Sequence, residues 1–245
     1  MRALLTGDFR FNLKWFDWLM SRVEDCDLTI YAGDLLDVQN RTPLSQQIAR
    51  AETALRALVE KRPLAICSGN HDAIDLPERT ASGTLPAWLN CLSSYQKAIL
   101  DGQSKVVQNE LTITVLGYLS DSVQKRSQLE IGNRLRQASG GHWLVVHHHP
   151  PAFAATEGPE ECAAGILLQE FAPTVWCSAR YFRQPYRKSF CDQEQIGNTL
   201  VLNVAQVTPN GIVKTAPIPN HVVWDLETNQ FCWSGLALPV SQSAH

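Results

Sequence analysis

Four short apolar runs in this chain each stop at a cluster of carboxylate, amide or imidazole side chains. "ALLT" (3–6) runs into Gly7-Asp8, and "LTIYA" (28–32) into Gly33-Asp34-Leu35-Leu36-Asp37. "LAICS" (64–68) runs into Gly69-Asn70-His71-Asp72, and "HWLVVH" (142–147) into His148-His149-Pro150-Pro151. Runs of this length, rich in Leu, Ile, Val and Thr and closed by Gly or Pro, read as buried strands. In open α/β sheets, ligands bind outside the carboxyl ends of the strands. The recurrence therefore predicts an α/β fold whose strand ends share one polar rim.

The segments between these runs carry helical periodicity. "NLKWFDWLMSRV" (12–23) sets Leu13, Phe16, Leu19, Met20 and Val23 on one face, and Ile48, Ala51, Leu55, Leu58 and Val59 mark a second helix. A helix is expected from Pro86 to about Leu100, an exposed polar one over 122–139, and another over 160–171. "LTITVLGYL" (111–119) and "TVWC" (174–177) read as further strands. From about residue 174 the chain is strand-rich, with runs at 198–207, 221–227 and 230–236 and Asn229 at a hairpin turn. Successive β-α-β units followed by strands predict one domain over 1–245, with two packed sheets flanked by helices. A chain of 245 residues suits one large α/β domain.

Charge and composition narrow the function classes. The net charge of −3 gives no global attraction to nucleic acid or anionic membrane. No apolar run approaches the ~20 residues of a membrane helix, so no membrane partner is expected. The N-terminal "MRALLTGDFRF" lacks the apolar stretch and small-residue cleavage site of a leader. The seven cysteines are scattered, with no CxxC pair, which points to a reducing cytoplasm.

The rim itself carries the chemistry. Two aspartates, an asparagine and histidines suit a divalent transition metal such as manganese, iron or zinc. Singly, Asp8 or Asp34 equally suits the cap of a following helix, and the histidine triplet suits a surface turn. Asp37 and Asp72 are expected to brace or cap rather than to ligate.

The ordered set resembles the calcineurin-like metallophosphoesterase superfamily, whose motifs run D-x-H, G-D-x-x-D, G-N-H-[DE], a strand ending in H, and G-H-x-H. Here "GDFR" (7–10) stands at the first, "GDLLD" (33–37) at the second, "GNHD" (69–72) at the third and "VVHHHPP" (145–151) at the fourth. The resemblance extends over roughly residues 3–205, with "NTLVLN" (198–203) at the strand that follows the fifth motif. It implies a four-layer α/β/β/α sandwich, two mixed sheets flanked by helices, with bound metals and hydrolysis of phosphomonoesters or phosphodiesters. By position it implies Asp34 as the carboxylate shared by two metals and Asp8 as a ligand of the first. Asn70 and His148 would hold the second, with His147 in its place if the register slips by one, and otherwise as a supporting residue. His71 would protonate the leaving oxygen or stabilise the phosphoryl charge. Metals neutralise phosphoryl oxygens, and an imidazole suits proton transfer.

The chain departs from the pattern at three positions. Arg10 stands where the first motif has histidine, and "ARYF" (179–182) aligns onto G-H-x-H, so Arg180 and Phe182 replace both of its histidines. The first metal keeps only Asp8 and Asp34, whereas the second keeps Asp34, Asn70 and His148. Three protein ligands plus water hold a catalytic metal, so at most one ion per chain is expected. Guanidinium groups do not ligate metals and stay charged. Arg10 and Arg180 are therefore expected to point into the rim, Arg10 or Arg180 contacting Asp8 or Asp34 directly or through a bound anion, and to bind the phosphoryl group; the alternative is that both turn into solvent. Arg180, Arg183, Arg187 and Lys188, interleaved with Tyr181, Phe182 and Tyr186, read as a phosphate grip with a base-stacking platform for nucleotide or single-stranded nucleic acid, or as a solvated loop. Two functions fit. One is a one-metal phosphoesterase acting on a phosphate-containing small molecule or nucleotide. The other is a catalytically impaired pseudo-phosphoesterase that binds a protein or nucleotide partner.

Overall fold

A computed structural model of the chain describes residues 1–73, 85–152, 159–180, 193–208, 211–212 and 216–234. One six-stranded sheet takes β1 (Arg2–Thr6), β2 (Leu28–Ala32), β3 (Leu64–Cys67), β4 (Ala98–Ile99), β13 (His221–Asp225) and β14 (Gln230–Ser234), in the order β14-β13-β1-β2-β3-β4. The other takes β5 (Ser104–Val107), β6 (Leu111–Leu116), β7 (His142–His147), β8 (Val175–Ser178), β9 (Gln193–Ile196) and β10 (Thr199–Asn203), in the order β5-β6-β7-β8-β10-β9. β11 (Val207–Thr208) and β12 (Gly211–Ile212) make a small ribbon. Both large sheets are mixed: β1 to β4 are parallel with β13 antiparallel to β1, and β6, β7, β8 and β10 are parallel between antiparallel edges.

Strand pleating assigns the layers, because alternate residues face opposite sides. Leu5, Ile30 and Ala65 of the first sheet meet Ile113, Leu144 and Cys177 of the second in one buried cluster. Their neighbours Leu4, Tyr31 and Ile66 face a second cluster, with α1 (Leu13–Arg22) and α2 (Leu44–Lys61). A single helical turn, α3 (Asn70–Ala73), follows β3. Trp143, Val145 and Trp176 face a third cluster, with α4 (Ser122–Ser139) and α5 (Pro159–Phe171). The result is the four-layer α/β/β/α sandwich, and burial on both faces explains why the strands read as near-continuous apolar runs.

Local chemistry sets the boundaries. Asp121 and Gln124 close a capping box at the start of α4, and Gly140 ends it in the left-handed region at φ 82°. Asn229, at φ 53°, turns the β13–β14 hairpin. The helix expected from Pro86 to Leu100 is instead a 3₁₀ turn, Ala87–Leu92, followed by β4. Asn90, Ser93 and Ser94 are residue types that favour turns over a helix interior. The strand expected over 111–119 stops at Leu116, and β4, β5 and β9 are additional strands. Among the described residues no helix is long and apolar enough to cross a membrane.

Candidate functional site

The loop after β1 lies along the loop after β2. Asp8, Arg10 and Phe11 donate their backbone N–H groups to Gly33, Asp34 and Leu35 carbonyls at 2.8, 3.0 and 2.8 Å. Asp8, Arg10, Phe11 and Asp34 all hold positive φ, between 45° and 56°. Each such non-glycine residue costs on the order of 1–3 kcal/mol and persists only where its surroundings fix it. Phe9 supplies that fixing: its ring meets Trp15, Phe16 and Tyr31 edge-on, and its N–H donates to Tyr31 Oη at 3.0 Å. Asp8 and Arg10, on either side, are thereby turned to the rim.

The loop after β3 closes on the same place. Asp72 Oδ1 accepts from the Leu35 and Leu36 N–H groups, both at 3.0 Å, and its Oδ2 accepts from Gly69 N–H at 2.9 Å. One buried carboxylate thus ties two loops together. Gly69 must be glycine, since a Cβ there would lie 2.2 Å from Asp34 Oδ1. Asp34 Oδ1 accepts from His71 N–H at 2.8 Å. Asp101, just after β4, holds the strand-end Ser68 through both its N–H and its hydroxyl, at 2.9 and 2.6 Å. Asp37 accepts from Gln39 N–H at 3.0 Å and lies 3.4 Å from His71 Nδ1. Val38 N–H donates to that Nδ1 at 3.2 Å, which leaves the proton of a neutral His71 on Nε2.

Pleat parity separates the three histidines at the end of β7. His147 falls on the α4/α5 side, edge-on to Trp176, with Nδ1 3.1 Å from the His149 carbonyl. His148 falls on the opposite side, with Asp34 and Asn70. Its Nδ1 lies 3.0 Å from the Ala32 carbonyl, so that nitrogen carries a proton and donates it. In neutral His148, Nε2 then presents a lone pair, 3.1 Å from Asn70 Oδ1 and 3.4 Å from Asp34 Oδ2. Asp34 Oδ2 is buried and accepts no hydrogen bond.

With His148 neutral, three lone-pair atoms meet here and a divalent ion would satisfy them; with His148 protonated, its Nε2–H turns to Asp34 and the two form an ion pair. Metal–ligand lengths near 2.1 Å put neighbouring donor atoms about 3.0–3.4 Å apart, which matches these separations. Asp34, Asn70 and His148 fit one divalent ion. Because the third donor is an asparagine, no group of three His, Cys, Asp or Glu side chains forms a metal cage among the described residues.

The neighbouring position is filled differently. Arg10 Nε donates to Asp8 Oδ1 at 2.6 Å, and its NH2 lies 3.5 Å from Asp34 Oδ2. Burial raises Asp8 out of the usual carboxylate range against the pull of Arg10. Burial acts the same way on Asp34, but His148 and the His71 N–H outweigh it and hold Asp34 low. Burial disfavours a charged His148, and Asp34 reverses that and raises it.

Arg180 does not repeat the arrangement of Arg10. Its NH1 lies 2.8 and 2.6 Å from the ring nitrogens of His149 and 3.7 Å from the Glu161 carboxylate. His149 in turn contacts Glu161 and stacks on Tyr118 at 5.4 Å. His149, Glu161, Tyr118 and Asp101 escape sequence reading; His149 alone carried a signal, as the last of the triplet. Tyr181, Phe182, Arg183, Tyr186, Arg187 and Lys188 lie outside the described residues.

The sequence profile of the calcineurin-like phosphoesterases matches residues 1–179, from β1 to just past β8. The chain belongs to the calcineurin-like phosphoesterase family. The family acts on phosphate esters with divalent metal ions. The match ends one residue before Arg180. No protein of curated function matches the chain. Among solved structures, the protein TT1561 of Thermus thermophilus is similar in fold, with a TM-score of 0.64 and 13% identity over 96% of this chain and 98% of that one. A dimetal phosphatase from Danio rerio gives 0.60 and 12%, over 96% and 95%. At such identities the likeness is one of fold.

Proposed function

We propose that this calcineurin-like phosphoesterase hydrolyses a phosphomonoester or phosphodiester, a nucleotide-type substrate included, with one divalent ion held by Asp34, Asn70 and His148. The convergence of His148 Nε2, Asn70 Oδ1 and the hydrogen-bond-free Asp34 Oδ2 carries the reading. A manganese, iron or zinc ion bound there supplies Lewis acidity toward a phosphoryl oxygen. Arg10 replaces the first-site histidine, neutralises Asp8 through Nε and offers its remaining guanidinium N–H groups to the phosphoryl charge. His71, with its proton on Nε2, serves the leaving oxygen. Asp72 and Asp37 hold the loops that carry these groups.

The specific observation favouring a second reading is that Arg10 already spans Asp8 and Asp34. On that reading the rim is neutralised without metal, and the chain binds a protein or nucleotide as a pseudo-phosphoesterase. Metal content of protein purified without chelator separates the two. The enzyme reading expects about one ion per chain, lost in Asp34→Asn and His148→Ala, and turnover of an aryl phosphoester that falls at least ~100-fold in His71→Ala. Metal-free wild-type protein that takes up no manganese and turns over no ester overturns the enzyme reading.

A further inference from the structure

Resting on that reading of the rim, we infer that Arg180 forms a second anion subsite, one phosphoryl group along the rim from the metal position, and that the substrate carries a diphosphate group. The backbone places it. Ala179 N–H donates to the His148 carbonyl at 3.3 Å, and Asn203 Nδ2 donates to the Arg180 carbonyl at 3.2 Å. Arg180 is thus pinned beside the step from His148 to His149. The two imidazoles stand 5.8 Å apart, His148 on Asp34 and Asn70, His149 on Arg180.

The side chains around Arg180 suit an exchangeable anion. Its side chain is 25% exposed and so accessible to a ligand, whereas Glu161 and His149 beside it are 4% and 2% exposed. Tyr118 stacks on His149 nearly parallel, at 12°, and its N–H donates to the Ser68 hydroxyl at 3.1 Å. Tyr118 thus covers one face of the imidazole and joins this cluster to the loop carrying Asn70. Glu161, 3.7 Å from the guanidinium, is a resident anion. Burial raises its carboxyl and so disfavours its charged form. A phosphate oxygen that replaces Glu161 at Arg180 therefore meets a weakened competitor. Arg10, committed to Asp8 and Asp34, serves the reacting phosphoryl group, and Arg180 serves the next.

The test is calorimetry with orthophosphate, inorganic pyrophosphate and adenosine diphosphate at fixed free manganese. The two diphosphates are expected to bind wild-type protein about tenfold more tightly than orthophosphate, the worth of one charge-assisted hydrogen bond. Arg180→Met should remove about that tenfold while changing orthophosphate less than about threefold. Glu161→Gln should tighten diphosphate binding, whereas a purely structural Glu161 would leave it unchanged or weaken it. The tighter of the two diphosphates identifies the source of the group. Equal affinity for orthophosphate and both diphosphates overturns the inference, as does a preference that survives Arg180→Met, or unchanged or weaker diphosphate binding in Glu161→Gln. An Arg180-dependent diphosphate preference in protein that binds no manganese keeps this subsite and removes the one-metal reading.

Discussion

At the residue scale, two charged side chains show how burial sets chemistry. Arg10 is 13% exposed and holds two fully buried carboxylates. Arg10→Met leaves both without their guanidinium, and removing one partner of a buried pair costs about 3–5 kcal/mol. The expected result is a lower urea midpoint in metal-free protein, with part of the loss recovered on adding manganese; an unchanged midpoint refutes the pairing. Asp101 behaves in the opposite sense to a paired carboxylate. Burial raises it from 3.8 to about 7, although Ser68 donates to both of its oxygens. The folded state thus holds this proton more tightly than the unfolded chain. Its contribution is complete below the unfolded value of 3.8 and is lost as pH rises to about 7. Asp101→Asn keeps an acceptor for Ser68 N–H and should flatten unfolding free energy across that window, as measured by urea titration at successive pH values. A slope identical to wild type counts against the raised Asp101.

At the element scale, stability and site geometry separate. The Asp121 capping box starts α4, which packs on the outer face of the second sheet and holds none of the rim side chains Asp34, Asn70 and His148. Asp121→Ala should cost about 1 kcal/mol, seen as a shift in urea midpoint, while metal stoichiometry stays the same. Gly69 is the reverse case. A Cβ there collides with Asp34 Oδ1 and the Asp34 backbone nitrogen at 2.2 and 2.5 Å. Gly69→Ala must push the loops after β2 and β3 apart, so manganese affinity should fall by at least ~10-fold even where the sheets still form. Retained affinity, read by calorimetry, would show that Asp34 does not depend on this approach.

At the scale of the whole molecule, a ligand that binds only the folded state stabilises it by mass action. The melting temperature should rise with manganese along a one-site curve in wild-type protein and stay flat in Asp34→Asn; a two-site curve contradicts the single-ion centre. Much of this architecture was legible in sequence. A strand buried on both faces is a local apolar run, and a loop that must carry polar ligands announces itself by Gly, Asp, Asn and His at the end of that run, so β1, β2, β3 and β7 and the groups Asp8, Asp34, Asn70 and His148 stand out. The two-residue β4 and the half-exposed or exposed edges β5 and β9 do not, because their pairing comes from neighbours and not from their own apolar pattern. Which histidine of the triplet meets Asp34 was decided by the pleat, since one residue of register exchanges the two faces of a strand. The fates of the two arginines were also tertiary. Arg10 reaches its carboxylates because the first two loops hydrogen-bond along their length. Arg180 meets His149 and Glu161 because parallel pairing of β7 and β8 brings together residues 31 apart in the chain, and α5 lays Glu161 against both. Local sequence determines which segments are strands and which loops are polar; only the packed sheets decide which charges meet.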